Sequence, residues 1–357
     1  MPRTRGRFLL GNTTVSSGNM LKRKQREWIK EANKQMKVQK QMWFIQRQEC
    51  LNDILKNNIV LTENDYRLFH EVINDKTQFI SGNSLFMAIH IKNIEKSIAL
   101  NKNNLTNLNF DDITNIVIVF SCDNYNTELY YKFISEISKL FGNKNFIFIH
   151  DVTNKYYDFG KYKMAYEYFK KKGLQSDYIH VMNDSIIICE KIDKMCKEIK
   201  NKLMNNHYIG ILSSTEYQKH YQSWWFIVKN KIYDDFFGNI KLIDMNNGDK
   251  EINKWCLIQI NEIANSNKYI SQSEYKTDCL LDGPPGGNLF YPNKLFFQYW
   301  NAGFKILKCA QLETLGDPNL RLSDGEWRNM WSIFGTTLAS ARQWYISARK
   351  HFEYLIE

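Results

Sequence analysis

Residues 116–120 read Ile-Val-Ile-Val-Phe, a continuous run of β-branched and aromatic side chains. Such a run is typical of a strand that is buried on both faces of a parallel sheet. Two similar runs follow, NFIFI at 145–149 and YIHVM at 178–182, and helix-like stretches at 127–140 and 161–172 separate the three. Strands that alternate with helices of this length are typical of βαβ units. The sequence therefore predicts an α/β fold with a mainly parallel sheet flanked by helices.

The alternation continues toward the carboxyl terminus. We expect a helix at 190–204, followed by strands at 208–212 and 224–229 that complete a mixed sheet. A last strand is expected at 305–308. These elements predict one α/β domain over residues 111–318.

The sequence on both sides of this domain favours helix. Residues 21–57 contain neither Gly nor Pro and are rich in Lys, Gln and Glu, which predicts a long helix. Shorter helices are expected at 65–73 and 84–100, so that 20–110 is predicted as a helical region. A helical tail is expected over 319–357.

Within the carboxyl-terminal part of the domain, GPPGG at 283–287 indicates a loop, which we interpret as a lid. It is followed by a short helix predicted at 292–304.

The positive charge is concentrated at the amino terminus. The chain has 357 residues and a formal net charge of +10. Residues 1–40 contain 11 basic and two acidic residues, a net charge of +9, and the remaining 317 residues carry only +1. We expect residues 1–19 to form a flexible basic leader.

The helix after the leader carries an apolar stripe at i, i+4 spacing that includes Trp28, Ala32 and Met36. We expect this stripe to pack on the body of the protein. Peripheral contact with an anionic membrane surface and, less favoured, nucleic-acid binding stay open as alternatives for residues 1–40.

Composition excludes several classes of protein. With 43% hydrophobic and 14% aromatic residues, the chain is not of the disordered class, and it has no run of about 18 apolar residues that would predict a spanning helix. The seven cysteines are scattered and form no C-x-x-C, so we expect reduced core thiols and a reducing, cytoplasmic compartment. The P-loop, G-x-S-x-G and H-E-x-x-H patterns are missing from the sequence, which argues against those NTPase and hydrolase classes.

Polar side chains follow the predicted strands at the points where the strands end. Ser121 and Asp123 follow the first strand, and Asn183-Asp184-Ser185 follows the third. Because ligands of open α/β sheets bind outside the carboxyl ends of the strands, we expect these groups to converge. A carboxylate such as Asp184 could hold Mg²⁺ or Mn²⁺ together with a diphosphate. In isolation, Asn-Asp-Ser is more often a turn or a helix N-cap than a metal site.

Four segments in this order resemble the rhamnan synthesis protein F family of glycosyltransferases, found in bacterial polysaccharide synthesis and in large DNA viruses. They are YDFGKYK at 157–163, VMNDS at 181–185, HYQSWWF at 220–226 and WNAGFKILK at 300–308. The resemblance covers about residues 113–318. It implies a GT-A-like fold, a nucleotide-diphosphate sugar donor and a saccharide or glycan acceptor.

The resemblance also implies roles for the donor side. Asp184 would contact the diphosphate directly or through Mn²⁺ or Mg²⁺, next to Asn183. Asp158 and Lys161 would face the donor sugar or phosphate, although Asp158 could also be a helix N-cap. Ser121 and Asp123 would lie where such folds receive the nucleoside.

On the acceptor side, the resemblance implies that His220, Gln222, Ser223 and Trp224 line the site, where an exposed Trp could stack on a sugar. Glu262 matches an acidic position in an E-I-x-x-S helix start and would be the general base. A slip of three residues would put Gln259 there, and Glu216 and Asp282 stay open as substitutes.

We therefore expect a metal-assisted transferase that moves a sugar, rhamnose or another hexose, to a glycan. The alternative is a catalytically inactive, transferase-like protein that binds nucleic acid or an anionic surface through its basic leader.

Overall fold

The computed structural model describes residues 14–73, 82–108, 112–123, 126–215, 217–245, 254–282, 305–309 and 355. The chain divides into two compact units, Met1–Cys50 and Leu51–Glu357. The first unit contains most of helix α1, Thr14–Lys56. The second unit contains the sheet and the other helices.

A mixed, mainly parallel sheet forms the centre of the second unit. Its strands follow the order β1-β4-β3-β2-β5-β9-β7-β10, and β8 pairs with β7. Strands β4, β3, β2 and β5 are parallel, as are β7 and β10, whereas β1 and β9 are antiparallel to their neighbours. The strands are β1 (Tyr66–Val72), β2 (Asn83–Ile91), β3 (Ile113–Cys122), β4 (Asn145–Asp151), β5 (Tyr178–Asn183), β6 (Ile186–Ile188), β7 (Tyr208–Ser214), β8 (His220–Tyr221), β9 (Trp225–Lys229), β10 (Thr277–Leu281) and β11 (Ile306–Lys308). Strands β6 and β11 pair with each other in a separate small sheet.

Both faces of the large sheet are covered, which explains why its central strands are apolar without alternation. Along β2, Leu85, Met87 and Ile89 enter one buried cluster, whereas Phe86 and Ala88 enter another. The first cluster includes side chains of α2 (Ile94–Asn107), α3 (Thr127–Ser138) and α5 (Asp193–Leu203). The second includes side chains of α4 (Tyr157–Lys171) and α6 (Asn230–Gly238). The layers are therefore helix, sheet and helix.

Local sequence fixes the ends of several helices. Asn93 and Asn126 cap α2 and α3, and the side-chain oxygen of each accepts backbone N–H groups of the first turn. Helix α4 ends before Gly173, whose φ of +66° favours glycine. Helix α7 (Lys254–Ser271) precedes β10.

The predicted α/β architecture is confirmed, but two predicted helices are wrong. Residues 65–73 and 84–100 contain strands β1 and β2, and helix begins only at Ile94. The physical reason is tertiary. Strand β2 lies between β3 and β5, where its SLFMAIHI run is buried on both faces. The region 20–110, predicted to be helical, therefore supplies a central strand of the sheet.

Helix α1 confirms the predicted long helix but begins at Thr14, so residues 14–19 are helical, contrary to the flexible leader expected there. The prediction that the apolar stripe is packed is wrong for Trp28 and Met36, which are 72% and 48% exposed. In contrast, Leu51 and Ile54, near the end of the helix, are each 4% exposed.

Several expectations lie outside the described residues: the 283–287 loop, the helix at 292–304 and the tail at 319–357, apart from Leu355. Strand β11 confirms the strand expected at 305–308. Within the described ranges, no helix is long and apolar enough to cross a membrane. None of the seven cysteines, all of which are described, forms a disulfide, and only Cys279 is fully buried.

Gly210 in β7 provides a test of the packing beneath β8. A Cβ at this position would lie 2.5 Å from the Tyr221 ring, so Gly210→Ala should lower the free energy of unfolding by about 1–3 kcal/mol through overpacking. Gly238→Ala, where a Cβ would meet nothing within 4 Å, should leave the free energy unchanged or raise it by up to about 1 kcal/mol. Urea unfolding of both variants measures the difference, and equal effects would contradict the packing described.

Candidate active site at the carboxyl edge of the sheet

The chain changes direction in the sheet between β2 and β5. From β2 it proceeds outward to β3 and β4, and it then crosses back to place β5 on the other side of β2. In open α/β sheets, ligands bind at such a switch point, outside the carboxyl ends of the strands. Here those ends are His90 on β2 and Asn183 on β5, with Asp184 immediately after.

Asp184 joins the two strands at this point. Its Oδ2 accepts the backbone N–H of His90 at 2.8 Å, and its own N–H donates to the Ala88 carbonyl at 3.2 Å. Burial raises the pKa of the Asp184 carboxyl to about 7, against the effect of the His90 hydrogen bond, and the negative charge of Asp158 adds to the increase. Asp184 can therefore exchange a proton near neutral pH.

Asp158 lies in the first turn of α4 and faces the end of β5. Its Oδ2 accepts a 2.7 Å hydrogen bond from Asn183 Nδ2, while Asn183 Oδ1 accepts the backbone and hydroxyl hydrogens of Ser185. Burial raises the pKa of Asp158, opposed by the charge of Lys161. The N-cap alternative for Asp158 is wrong, since Tyr156 occupies the N-cap position and no side chain caps it. Asn183 therefore contacts Asp158 and precedes Asp184 in the chain.

Lys161 has a different environment from the one predicted. Its side chain is 2% exposed, and its ammonium lies 3.1 Å from Asp151 Oδ2 and donates to Asn154 Oδ1 at 2.6 Å. Asp151, itself 1% exposed, also accepts the backbone N–H groups of Thr153 and Asn154. Lys161 therefore fixes the turn that leads into α4, where Asn154 and Tyr157 have φ values of +48° and +45°.

His90 connects the two residues that were expected to meet a nucleoside. Its Nδ1 lies 3.0 Å from Ser121 Oγ, and its Nε2 lies 3.2 Å from Asp123 Oδ1. Ser121 is buried, whereas Asp123 is 63% exposed at the side chain. Sequence reasoning missed His90 because the segment was assigned to a helix. Its signal was the uninterrupted apolar run that ends in His-Ile at 90–91.

Glu262 on α7 holds the segment that precedes β9. Its Oε1 accepts both the backbone N–H of Ser223, at 2.7 Å, and the Ser223 hydroxyl, at 2.9 Å. Its Oε2 lies 3.5 Å from His220 Nε2. Neither of these two atoms has a hydrogen-bond partner within the described part of the chain. Because Glu262 is 2% exposed, it does not lie on a solvated helical face.

The other predicted acceptor-side residues are buried as well. Gln222 and Trp224 are each 2% exposed, and Trp224 Nε1 donates to Gln222 Oε1 at 2.6 Å. The expectation of an exposed Trp that stacks on a sugar is therefore wrong for Trp224. Its carbonyl instead accepts the Asn183 N–H at 3.1 Å, which connects this segment to the carboxylates.

Tyr162 provides a second connection, since its hydroxyl donates to the Ser223 carbonyl at 2.9 Å. Of the residues that we considered as substitutes for the base, Asp282 accepts from Ser213 Oγ at 2.9 Å, and Glu216 lies outside the described residues. Gln259 is buried.

Lys308 on β11 adds a positive charge to the site. It ends the WNAGFKILK segment at 300–308, but the sequence predicted no role for it. Its Nζ lies 5.6 Å from the centre of the Trp224 ring. Burial lowers the pKa of Lys308, whereas the negative charges of Glu262 and Asp158 oppose this decrease. The pairing of β11 with β6 thus brings a positive charge to the carboxylates of the site.

A divalent cation could use the oxygens of Asp184 and Asp158. Hard cations prefer such ligands, and positive charge would favour the ionised form of Asp184 that burial disfavours. No group of three or more His, Cys, Asp or Glu side chains within the described ranges forms a metal site. A cation held here would therefore need further oxygens from phosphate or water, as Mg²⁺ commonly does.

Comparisons with known proteins identify no family for this chain. No protein-family model matches the chain, and no curated protein matches its sequence. Among solved structures, apo WbbM, described as a bifunctional glycosyltransferase, is similar with a TM-score of 0.36 and 8% identity. The match covers 72% of this chain and 53% of that chain, so this chain spans about half the length of WbbM. At this level the similarity assigns neither a family nor an activity.

The buried pair of Lys161 and Asp151 should contribute strongly to stability. Lys161→Met leaves a buried carboxylate without its counter-charge and should lower the free energy of unfolding by about 3–5 kcal/mol. Lys170→Met is the matched control on the same helix, since Lys170 and its partner Asp234 are 66% and 64% exposed, and it should cost about 0–1 kcal/mol. Urea unfolding at pH 7 measures both. Similar losses would show that burial of the pair is unimportant.

Asp184 should make stability fall with increasing pH. Between its ordinary pKa of 3.8 and about 7, the folded chain keeps a proton that the unfolded chain releases, so the free energy of unfolding falls as the pH rises through this window. Asp184→Asn can still accept the His90 hydrogen bond and should remove this part of the decrease. Urea unfolding from about pH 4 to pH 8 tests it. The exposed Asp193→Asn should keep the wild-type profile, and a parallel profile for Asp184→Asn would refute the assignment.

Proposed function

We propose that this protein is a glycosyltransferase that moves a sugar, rhamnose or another hexose, from a nucleotide-diphosphate donor to a saccharide or glycan acceptor. The observation that supports it most directly is the placement of Asp184 and Asp158 around Asn183 at the switch point of the sheet. This is the part of an α/β sheet where a nucleotide would bind. The four segments that resemble the rhamnan synthesis protein F family contribute residues to this neighbourhood.

In this proposal, Asp184 is the donor-site carboxylate. Together with Asp158 it would hold Mn²⁺ or Mg²⁺, which when bound would stabilise negative charge on the diphosphate. Asn183 positions the Asp158 carboxylate through a hydrogen bond, and the His90 backbone N–H positions that of Asp184. Lys308 adds a positive charge on the same side, which favours an anionic leaving group.

The nucleoside would lie over the ends of β2 and β3. His90 holds Ser121 and Asp123 together there, and the exposed carboxylate of Asp123 can accept hydrogen bonds from a ribose or a base. Lys161 supports this side indirectly, because its pair with Asp151 fixes the turn before Asp158.

The residues that the sequence placed on the acceptor side form a buried network around Glu262. Ser223 and His220 contact Glu262, and Trp224 contacts both Gln222 and Asn183. We therefore assign these five residues (His220, Gln222, Ser223, Trp224 and Glu262) to positioning the donor-site carboxylates. A Glu that is 2% exposed and occupied by Ser223 is poorly placed to take a proton from an acceptor hydroxyl.

One observation favours the alternative of an inactive, transferase-like protein that acts through its basic leader. Lys161, which the resemblance places against the donor phosphate, has its charge neutralised by Asp151. If this pair stays closed in the presence of nucleotides, the site loses one phosphate ligand. The two functions differ in whether nucleotide sugars bind at Asp184.

A panel of UDP- and dTDP-linked hexoses, with and without Mn²⁺, tests the proposal on the full chain. We expect at least one of them to raise the melting temperature and to be hydrolysed or transferred. Asp184→Asn should reduce this turnover by at least about 100-fold without unfolding the chain. The exposed Asp193→Asn is the matched control and should retain wild-type turnover. Failure of every nucleotide sugar to shift the melting temperature would favour the inactive alternative.

A further inference from the structure

The part of α1 that lies in the first unit exposes many large apolar side chains. Trp28 is 72% exposed, and the consecutive Met42, Trp43, Phe44 and Ile45 are each about half exposed. Large exposed apolar patches mark interaction sites, because leaving them in water costs free energy. These side chains form an exposed apolar surface that is not part of the candidate active site.

One sector of the helix is apolar. At about 100° per residue, Trp28, Ala32, Met36 and Trp43 lie within a sector of about 80°, with Met42 about 40° to one side of it. Phe44 and Ile45, about 160° and 260° from Trp28, lie outside this sector. Lys30, Lys34, Lys37 and Lys40 lie on the other half of the helix, about 120–240° from Trp28. An apolar face rich in Trp opposite a face rich in Lys is typical of helices that lie in the plane of a membrane surface.

We infer that α1 binds the surface of an anionic lipid bilayer, with Trp28, Met36 and Trp43 in the interfacial layer. Charge complementarity favours this partner, since residues 1–40 carry a net charge of +9. The tryptophans suit the interface because their rings are amphipathic. No described helix can cross a membrane, so the contact is peripheral.

Other partners explain the surface less well. A nucleic acid would contact the lysines but would leave the apolar sector of Trp28, Met36 and Trp43 in water. A second copy of the chain would cover the apolar sector but would bring two strongly basic segments together. An anionic bilayer would bury Trp28, Met36 and Trp43 and would attract the lysines of the same helix.

The experiment uses the full chain and sedimentation with two kinds of vesicle, pure phosphatidylcholine and phosphatidylcholine with 30% phosphatidylserine. We expect binding to the anionic vesicles, at least tenfold weaker binding to the neutral ones, and weakening as salt is increased. Binding to neither kind of vesicle would overturn the proposal.

Matched variants separate the two components of binding. Trp28→Ala with Trp43→Ala should weaken partition into anionic vesicles at least tenfold. Leu129→Ala with Met204→Ala removes two exposed apolar side chains of the second unit and should leave partition unchanged. Lys30→Gln, Lys34→Gln and Lys37→Gln together should weaken binding and flatten its salt dependence. The same change at the exposed Lys132, Lys139 and Lys170 should do neither.

Two outcomes would replace the lipid with another partner. If the Trp variants keep wild-type partition but lose self-association in analytical ultracentrifugation, the surface joins two copies of the chain. If the Lys variants lose binding to a duplex DNA probe and keep vesicle binding, α1 binds nucleic acid and not lipid. Circular dichroism and the melting temperature of each variant show that α1 and the sheet are still folded.

Discussion

The hydrogen bond from the His90 backbone amide to the Asp184 carboxylate joins the two strands between which the chain changes direction. The rest of the candidate site is arranged around it. Through its backbone, His90 holds Asp184, and through its ring it holds Ser121 and Asp123. Asn183, one residue before Asp184, holds Asp158 on α4. A single contact between neighbouring strands thus connects side chains from four elements that are distant in the sequence.

The acidic groups of the site differ in how far the protein compensates their negative charge. Asp151 has a buried lysine and two backbone amides, so its charge is compensated within the protein. Asp184 has one backbone amide, and burial together with the charge of Asp158 makes its ionised form unfavourable. Partly buried carboxylates with raised pKa values are common where a ligand or a proton binds. The Lys161–Asp151 pair fixes the backbone before α4, whereas Asp184 and Asp158 keep raised pKa values at the sheet edge.

Much of the sheet could be predicted from sequence because β3, β4 and β5 carry apolar runs that only a doubly covered strand tolerates. Strands β1 and β2 were mistaken for helices, since their local sequence does not distinguish a short buried strand from a helix segment. That error concealed His90. The convergence of Asp158, Asn183 and Asp184 followed from the strand-end rule. The burial of Trp224 and Glu262 could not be predicted, because it depends on the antiparallel strand β9 and on α7, whose packing has no local signature.

The pairing of β6 with β11 joins two parts of the site that are far apart in the sequence. Residues 186–188 follow Asp184 directly, but their partner strand is made about 120 residues later. During synthesis the sheet could therefore form, with Asp184 and Asp158 in place, well before Lys308 emerges. Until then the two carboxylates lack this cation, and the growing chain holds an incomplete site. A strand of three residues, distant in the sequence, thus supplies the cation that faces Asp158 and Glu262.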